Sequence, residues 1–86
     1  MAEHILKPLN CINDANGNTF RPFSLDGEVI YHYPLNQAML DDTVAKKETM
    51  KLCLAIRNKI GIELTPEDIP KILKNGGKII SWKRKL

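Results

Sequence analysis

Four side chains in this 86-residue chain belong to the types that bind soft metal ions or act as nucleophiles: His4, Cys11, His32 and Cys53. No two of them stand at the C-x-x-C or H-x-x-x-H spacing that presents two ligands to one ion. The sequence therefore predicts neither a metal site nor a cofactor. Two cysteines are also too few for a disulfide scaffold.

A cysteine nucleophile needs partial exposure and a neighbour that lowers its pKa. Cys53 falls on the apolar stripe of a predicted helix, and Cys11 falls near the end of a predicted strand, so packing explains both thiols better than catalysis does. Helix caps explain the pairs Asp41-Asp42 and Glu67-Asp68. Gly76-Gly77 follows a helix instead of preceding one, which is the wrong order for a phosphate-binding loop. We therefore expect no enzymatic activity.

The segment Tyr31-His32-Tyr33 carries the most varied chemistry. On a strand, Tyr31 and Tyr33 share one face with Val29, while His32 and Ile30 share the other. Outward-facing tyrosines would form a two-ring platform for a partner, whereas inward-facing tyrosines would belong to the core and leave His32 exposed. The core arrangement is favoured, because the chain has few other large aromatic residues.

The first third of the chain predicts a three-stranded β-meander. Asn16-Gly17 and Asp26-Gly27 are typical of type I′ hairpin turns, since both positions of such a turn require positive φ. The segments that they separate are rich in β-forming residues and run from His4 to Ile12, from Thr19 to Leu25 and from Glu28 to Tyr33. Pro8 and Pro22 each remove a ladder donor, so each needs an edge, a bulge or an outward-facing position.

The middle of the chain predicts a helix from about Val44 to Ile60. Asp41 with the next two residues forms an N-cap cluster, and Gly61 can end the helix in the left-handed conformation. The expected inner stripe contains Ala45, Thr49, Leu52, Cys53, Ile56 and Ile60, broadened by Met50, Leu54 and Ala55. Lys47 and Lys51 share the expected outer face.

A second helix has a strong local start signal. Thr65 is the expected cap, Pro66 the first helical residue and Asp68 the third position of a capping box. Asn75-Gly76-Gly77 stops this helix, and the segment from Lys78 to Arg84 predicts a last strand. The apolar stripe of this second helix contains Ile69, Ile72 and Leu73.

These elements predict one α+β domain over residues 1–86, with a small antiparallel sheet packed against two helices. The sheet would consist of the N-terminal β-meander and the C-terminal strand. Hydrophobic residues make up 43% of the chain and charged residues 27%, which is ordinary for a globular protein. No apolar run is long enough to span a membrane, and the N-terminus does not resemble a secretory signal, so we expect a cytoplasmic protein.

Charge is divided unevenly along the chain. Residues 1–45 hold two basic and six acidic residues, a net charge of −4, whereas residues 46–86 hold 11 basic and four acidic residues, a net charge of +7. After Asp68 there are six basic residues and no acidic one. Such asymmetry favours an acidic protein or a nucleic acid as the partner, unless the two halves neutralise each other within or between copies.

The sequence favours a small non-enzymatic protein-binding module that uses a charged surface or an edge strand. It would be an adaptor, inhibitor or regulatory subunit, of a kind common in bacteria and phages, and its partner would be another protein or a second copy. The alternative is a nucleic-acid-binding protein that uses the basic C-terminal half. Candidate partner-binding residues are Lys78, Trp82, Lys83, Arg84 and Lys85, together with Tyr31, His32 and Tyr33.

The acid-free C-terminus generates a first prediction. Changing Lys83, Arg84 and Lys85 together to Ser should weaken partner binding, because three cations would be lost from one short segment. Binding and self-association measured at low salt should both be compared with the unchanged chain. Equal affinities and an equal oligomeric state would show that these three cations have no role.

Overall fold

The computed structural model describes residues 4–38 and 41–79, without the side chains of residues 37 and 38. Over these ranges the chain forms four strands and three helices. The strands are β1 (Leu6–Pro8), β2 (Ile12–Asn13), β3 (Thr19–Leu25) and β4 (Glu28–Pro34). The helices are α1 (Leu35–Ala38), α2 (Asp42–Ile60) and α3 (Asp68–Lys74). The predicted fold class is confirmed, with a small antiparallel sheet and two principal helices.

The sheet is built around β3. One edge of β3 pairs with β4, and the other edge pairs with β1 at one end and β2 at the other. The predicted first strand is therefore divided into two pieces, and Pro22 explains the gap. The Pro22 carbonyl oxygen accepts the Leu9 N–H at 2.8 Å, so the backbone of Pro22 faces the edge of β3 that pairs with β1 and β2. Because proline has no N–H, it cannot donate the next hydrogen bond across this edge, and the pairing is interrupted there.

One of the two predicted type I′ turns is confirmed. Asp26 and Gly27 both have positive φ, at 55° and 87°, as that turn requires. The Asn16-Gly17 prediction is wrong, because Gly17 alone of these two residues has positive φ. The carboxylate of Asp14 accepts the backbone N–H groups of Asn16 and Asn18, both at 2.9 Å, and these local bonds organise a longer loop.

A β-bulge changes the predicted alternation of β4. Phe23 pairs with Tyr31 while Ser24 pairs with Val29, so Ile30 is an extra residue on β4. Ile30 packs against the core on the same side as Tyr31, and Val29 is 43% exposed. The prediction that Val29 shares a face with the tyrosines is therefore wrong.

Helix α2 begins at Asp42, two residues before the predicted Val44, and ends at Ile60 as predicted. The Asp41 carboxylate accepts the Thr43 N–H at 2.7 Å, and Gly61, with φ of 75°, donates its N–H to the Arg57 carbonyl at 2.8 Å. The predicted broad buried side is too wide, since Met50 and Leu54 are 53% and 52% exposed. A sheet on one side of α2 covers only part of its circumference.

Helix α3 starts at Asp68, two residues later than predicted, and its N-cap residue is Glu67, so the prediction that Thr65 is the cap is wrong. The backbone N–H and the hydroxyl of Thr65 both donate to the carboxylate of Asp68, at 2.9 and 3.0 Å, so the carboxylate half of the capping box forms. The helix ends in a Schellman arrangement: the Gly77 N–H reaches the Ile72 carbonyl at 2.8 Å, and Gly76 has φ of 75°.

The chain after α3 returns to the outer side of β1. The Leu6 N–H donates to the Gly77 carbonyl at 2.8 Å, and the Ile79 N–H donates to the His4 carbonyl at 3.0 Å. Ile5 and Lys78 form an antiparallel bridge between these two bonds. Of the last strand predicted from Lys78 to Arg84, the structure therefore shows one bridge at its first residue, and the rest of that prediction, from residue 80 on, lies outside the described residues.

The core lies between one face of the sheet and helices α2 and α3. Among the described residues, ten apolar side chains are buried there: Leu6, Phe23, Leu25, Leu52, Cys53, Ile56, Leu64, Ile69, Ile72 and Ile79. Strands β1 and β3 and helices α2 and α3 each contribute at least one fully buried side chain. The position of α2 on the sheet is therefore set by hydrophobic burial.

We predict that Gly77→Ala destabilises the fold by about 3 kcal/mol, near the upper end for single substitutions. A Cβ at this position would clash with the backbone oxygen of Leu6, and its φ of 82° already disfavours a side chain. Gly76→Ala is the matched control, because it also has positive φ but open space around it, and should cost about 1 kcal/mol. Equal denaturation midpoints for the two variants would disprove the close approach.

Candidate functional site

The two tyrosines of β4 point at helix α2. The Tyr33 hydroxyl donates to the Ala45 carbonyl at 3.0 Å, and the Tyr31 hydroxyl donates to the Glu48 carboxylate. The rings meet edge to face, with centroids 6.5 Å apart. The favoured core arrangement is confirmed and the exposed two-ring platform is wrong, because both rings pack against the core while His32 is exposed.

A half-buried hydrogen bond holds the first turns of α2 to the sheet. The Glu48 side chain is only 13% exposed, and its second oxygen lies 3.5 Å from Lys51 Nζ. Burial, followed by the hydrogen bond to Glu48 and its negative charge, raises the pKa of Tyr31 far above its usual value. Tyr31 therefore stays a neutral donor at any physiological pH.

Because its inner side is fastened, α2 presents a defined outer side to solvent. Seven exposed side chains form this surface, which we call the basic helix face: Lys46, Lys47, Met50, Lys51, Leu54, Arg57 and Asn58. Met50 and Leu54 are four residues apart and are therefore neighbours on the helix surface. At about 100° of rotation per residue, Leu54 lies close to the direction opposite the buried core.

Cations flank the two exposed apolar side chains on both sides. The helical rotation places Lys46 and Arg57 on one side of Met50 and Leu54, and Lys47 with Lys51 on the other. Arg57 is partly neutralised by a carboxylate 3.4 Å away, that of Glu63. No carboxylate of the described residues 4–38 and 41–79 forms an ion pair with Lys46 or Lys47.

A shallow depression of about 400 Å³ lies beside this face, between β4 and α2. Ala55 and Asn58 line it from the helix, Val29 lines it from the strand, and the ion pair between Lys59 and Glu28 closes one side. It is too open to bury a small molecule, so we assign no ligand to it. It extends the accessible surface from the basic helix face toward the exposed Val29.

The groups that could do chemistry are kept apart. Cys53 is buried, and burial, together with the nearby charge of Asp68, raises the pKa of its thiol to about 11. The other thiol, Cys11, is exposed. His4 contacts Asp26 at 2.7 Å, a hydrogen bond that lowers the pKa of that carboxyl group. Within the described ranges, no three His, Cys, Asp or Glu residues are grouped so that they could hold a metal ion.

The structure places the residues predicted to bind a partner in different environments. Lys78 is exposed at the outer side of β1, and Tyr31 and Tyr33 serve to hold α2. Trp82, Lys83, Arg84 and Lys85 lie outside the described residues. Sequence reasoning placed Met50 and Leu54 in the core. The signal that pointed the other way was the group of lysines around them at helical spacing.

The chain matches no protein-family model, and neither a curated protein nor a solved structure is detectably similar to it. Among the described residues, none of the helices has the length and apolar character needed to cross a membrane.

We predict that Tyr31→Phe lowers the free energy of unfolding by about 2 kcal/mol, because it leaves the half-buried Glu48 carboxylate without this donor. Tyr33→Phe should cost less, about 0.5–1 kcal/mol, since Thr49 still donates to the Ala45 carbonyl at 2.8 Å. Denaturant titration of both variants makes the comparison.

The same contact sets a pH dependence. A group whose pKa is raised by folding contributes stability that is complete below its unfolded pKa and is lost as pH rises through the folded value. Tyr31 should therefore make the protein less stable above about pH 10, and Tyr31→Phe should reduce this alkaline loss. An identical alkaline profile in the variant would contradict the buried contact.

Proposed function

We propose that this chain is a small non-enzymatic protein-binding module, an adaptor, inhibitor or regulatory subunit, that docks on another protein through the basic helix face. The observation that carries the proposal is the exposure of Met50 and Leu54, side by side, on a helix whose opposite side is fastened to the sheet. Large apolar side chains in such a position lose unfavourable contact with water when a partner covers them.

The arrangement of this face supports a protein partner. Protein interfaces commonly have an apolar centre and a polar rim, and Met and Arg are enriched in them. Here Met50 and Leu54 form the centre and the surrounding cations form the rim. The rim charges would guide a partner with acidic residues and exclude basic ones.

The helix face is a better docking surface than the free edge of β4. No strand of the described residues pairs with that edge. The bulge at Ile30 interrupts its regular pattern of bonding groups, and Pro34 offers no N–H. Bulges and prolines are features that protect edge strands from pairing with other chains.

The alternative function, nucleic-acid binding by the basic C-terminal half, has one supporting observation. Lys71, Lys74 and Lys78 are all exposed, and six basic residues follow the last acidic residue. Against it, Glu67 and Asp68 stand at the start of α3, where they would repel phosphate from the end of a helix that enters a groove.

We also assign the protein to the cytoplasm, since both cysteines are free.

Affinity capture with a variant on the helix face tests the proposal. A partner retained by the unchanged protein from nuclease-treated extract should be lost with Leu54→Asp, because a charge would enter the apolar centre. Ile12→Asp is the matched control: Ile12 is 47% exposed but lies on β2, and its variant should retain the partner.

Three results would contradict this function. The captured protein could remain bound to Leu54→Asp, the two variants could lose it equally, or binding could disappear after nuclease treatment. The last result, together with an affinity that falls steeply with salt, would instead support nucleic-acid binding.

A further inference from the structure

We propose that the segment that occupies the basic helix face is an acidic amphipathic helix from a different protein. This inference rests on the proposed protein-binding function and specifies the chemistry of the partner. It follows from the spacing of the apolar side chains, from the sign of the surrounding charges and from the acidic residues at both ends of the face.

The spacing is that of helix-to-helix packing. Lys47, Met50, Leu54 and Arg57 are separated by three, four and three residues, which is the spacing of the contact seam in paired helices. Met50 and Leu54 supply two central apolar layers, and cations occupy the layers at both ends. A partner helix would therefore place two apolar side chains at the centre and carboxylates around them.

Charge excludes a second copy as the occupant. If two of these faces met in antiparallel orientation, Lys47 of one copy would approach Arg57 of the other. In parallel orientation each cation would approach its own equivalent. Like charges that face each other across an interface repel, and this repulsion disfavours the pairing of two copies through this face. A helix with Glu or Asp at the flanking positions turns the same contacts into attractions.

Acidic residues limit the length of the occupant. Asp41 and Asp42 are exposed at the start of α2, and Glu63 is exposed just beyond its end. The basic helix face extends from Lys46 to Asn58, which is about 18 Å along the helix axis at 1.5 Å per residue. An extended phosphate backbone or an anionic membrane surface would meet the acidic groups at both ends. A helix of about four turns fits between them.

A contact of this size should be weak and sensitive to salt. Interfaces smaller than the standard size belong to transient complexes, and surface ion pairs are screened by salt. We expect dissociation constants in the micromolar range at low salt, on the order of −7 to −8 kcal/mol in binding free energy.

Titration of the isotope-labelled protein with a designed peptide tests the inference. The probe is a synthetic helix of about four turns that carries Leu at the two central positions and Glu at the flanking positions. The control peptides are a scrambled sequence and a version with Lys in place of Glu. Amide shift changes should be confined to α2 and its neighbours, and the control peptides should cause none.

Two charge-reversal variants locate the site. Lys46→Glu/Lys47→Glu should weaken binding of the acidic peptide at least tenfold, about 1.4 kcal/mol. Lys71→Glu/Lys74→Glu changes the net charge equally but on α3, and should leave the affinity unchanged. Thermal unfolding of both variants checks that each is folded.

Several outcomes would overturn the inference. They are an absence of shifts up to about millimolar peptide, equal weakening by the two variants, tighter binding of duplex DNA or anionic vesicles to the same residues, and self-association through this face. If the peptide fails while Leu54-dependent capture of a protein succeeds, the partner chemistry is wrong and the proposed function stands. If both fail, both are wrong.

Discussion

The contact on which the surface of this molecule depends is the attachment of α2 to β4 by two tyrosine hydroxyls. Tyr31 donates to the half-buried Glu48 carboxylate, and Tyr33 donates to the Ala45 carbonyl. Hydrophobic burial brings the helix to the sheet, but it is non-directional. The buried stripe of Leu52, Cys53 and Ile56 sets which side of α2 faces the sheet, and the two directional hydrogen bonds hold the helix in that rotation. Met50 and Leu54 are thereby left facing solvent.

Features with local causes were predictable from the sequence. The caps at Asp41 and Gly61 and the turn at Asp26-Gly27 each depend on a few adjacent residues, and the structure has all three. Other features have causes that are distant in sequence. The division of the first strand depends on Pro22, which faces it across the sheet, and the bulge on β4 depends on its register with Ser24.

The candidate site was harder to predict than the fold. Met50 and Leu54 lie beside the buried stripe of α2 on the helix surface. Only the folded structure shows that the sheet covers one side of the helix and leaves these two side chains exposed. The uneven charge of the chain was visible in the sequence, but its distribution in space was not. One ion pair between Lys59 and Glu28 joins the basic half to the acidic half, while Lys46 and Lys47 remain available beside the apolar centre.

If this chain works as proposed, its partner binds the outer face of α2. A photo-crosslinking amino acid placed at Leu54, and in a second protein at Ile12, tests it most directly in the cell. We expect one discrete protein adduct from the position of Leu54 and none from that of Ile12. Equal adducts from the two positions, an adduct with nucleic acid, or crosslinks only between copies of this chain would contradict it.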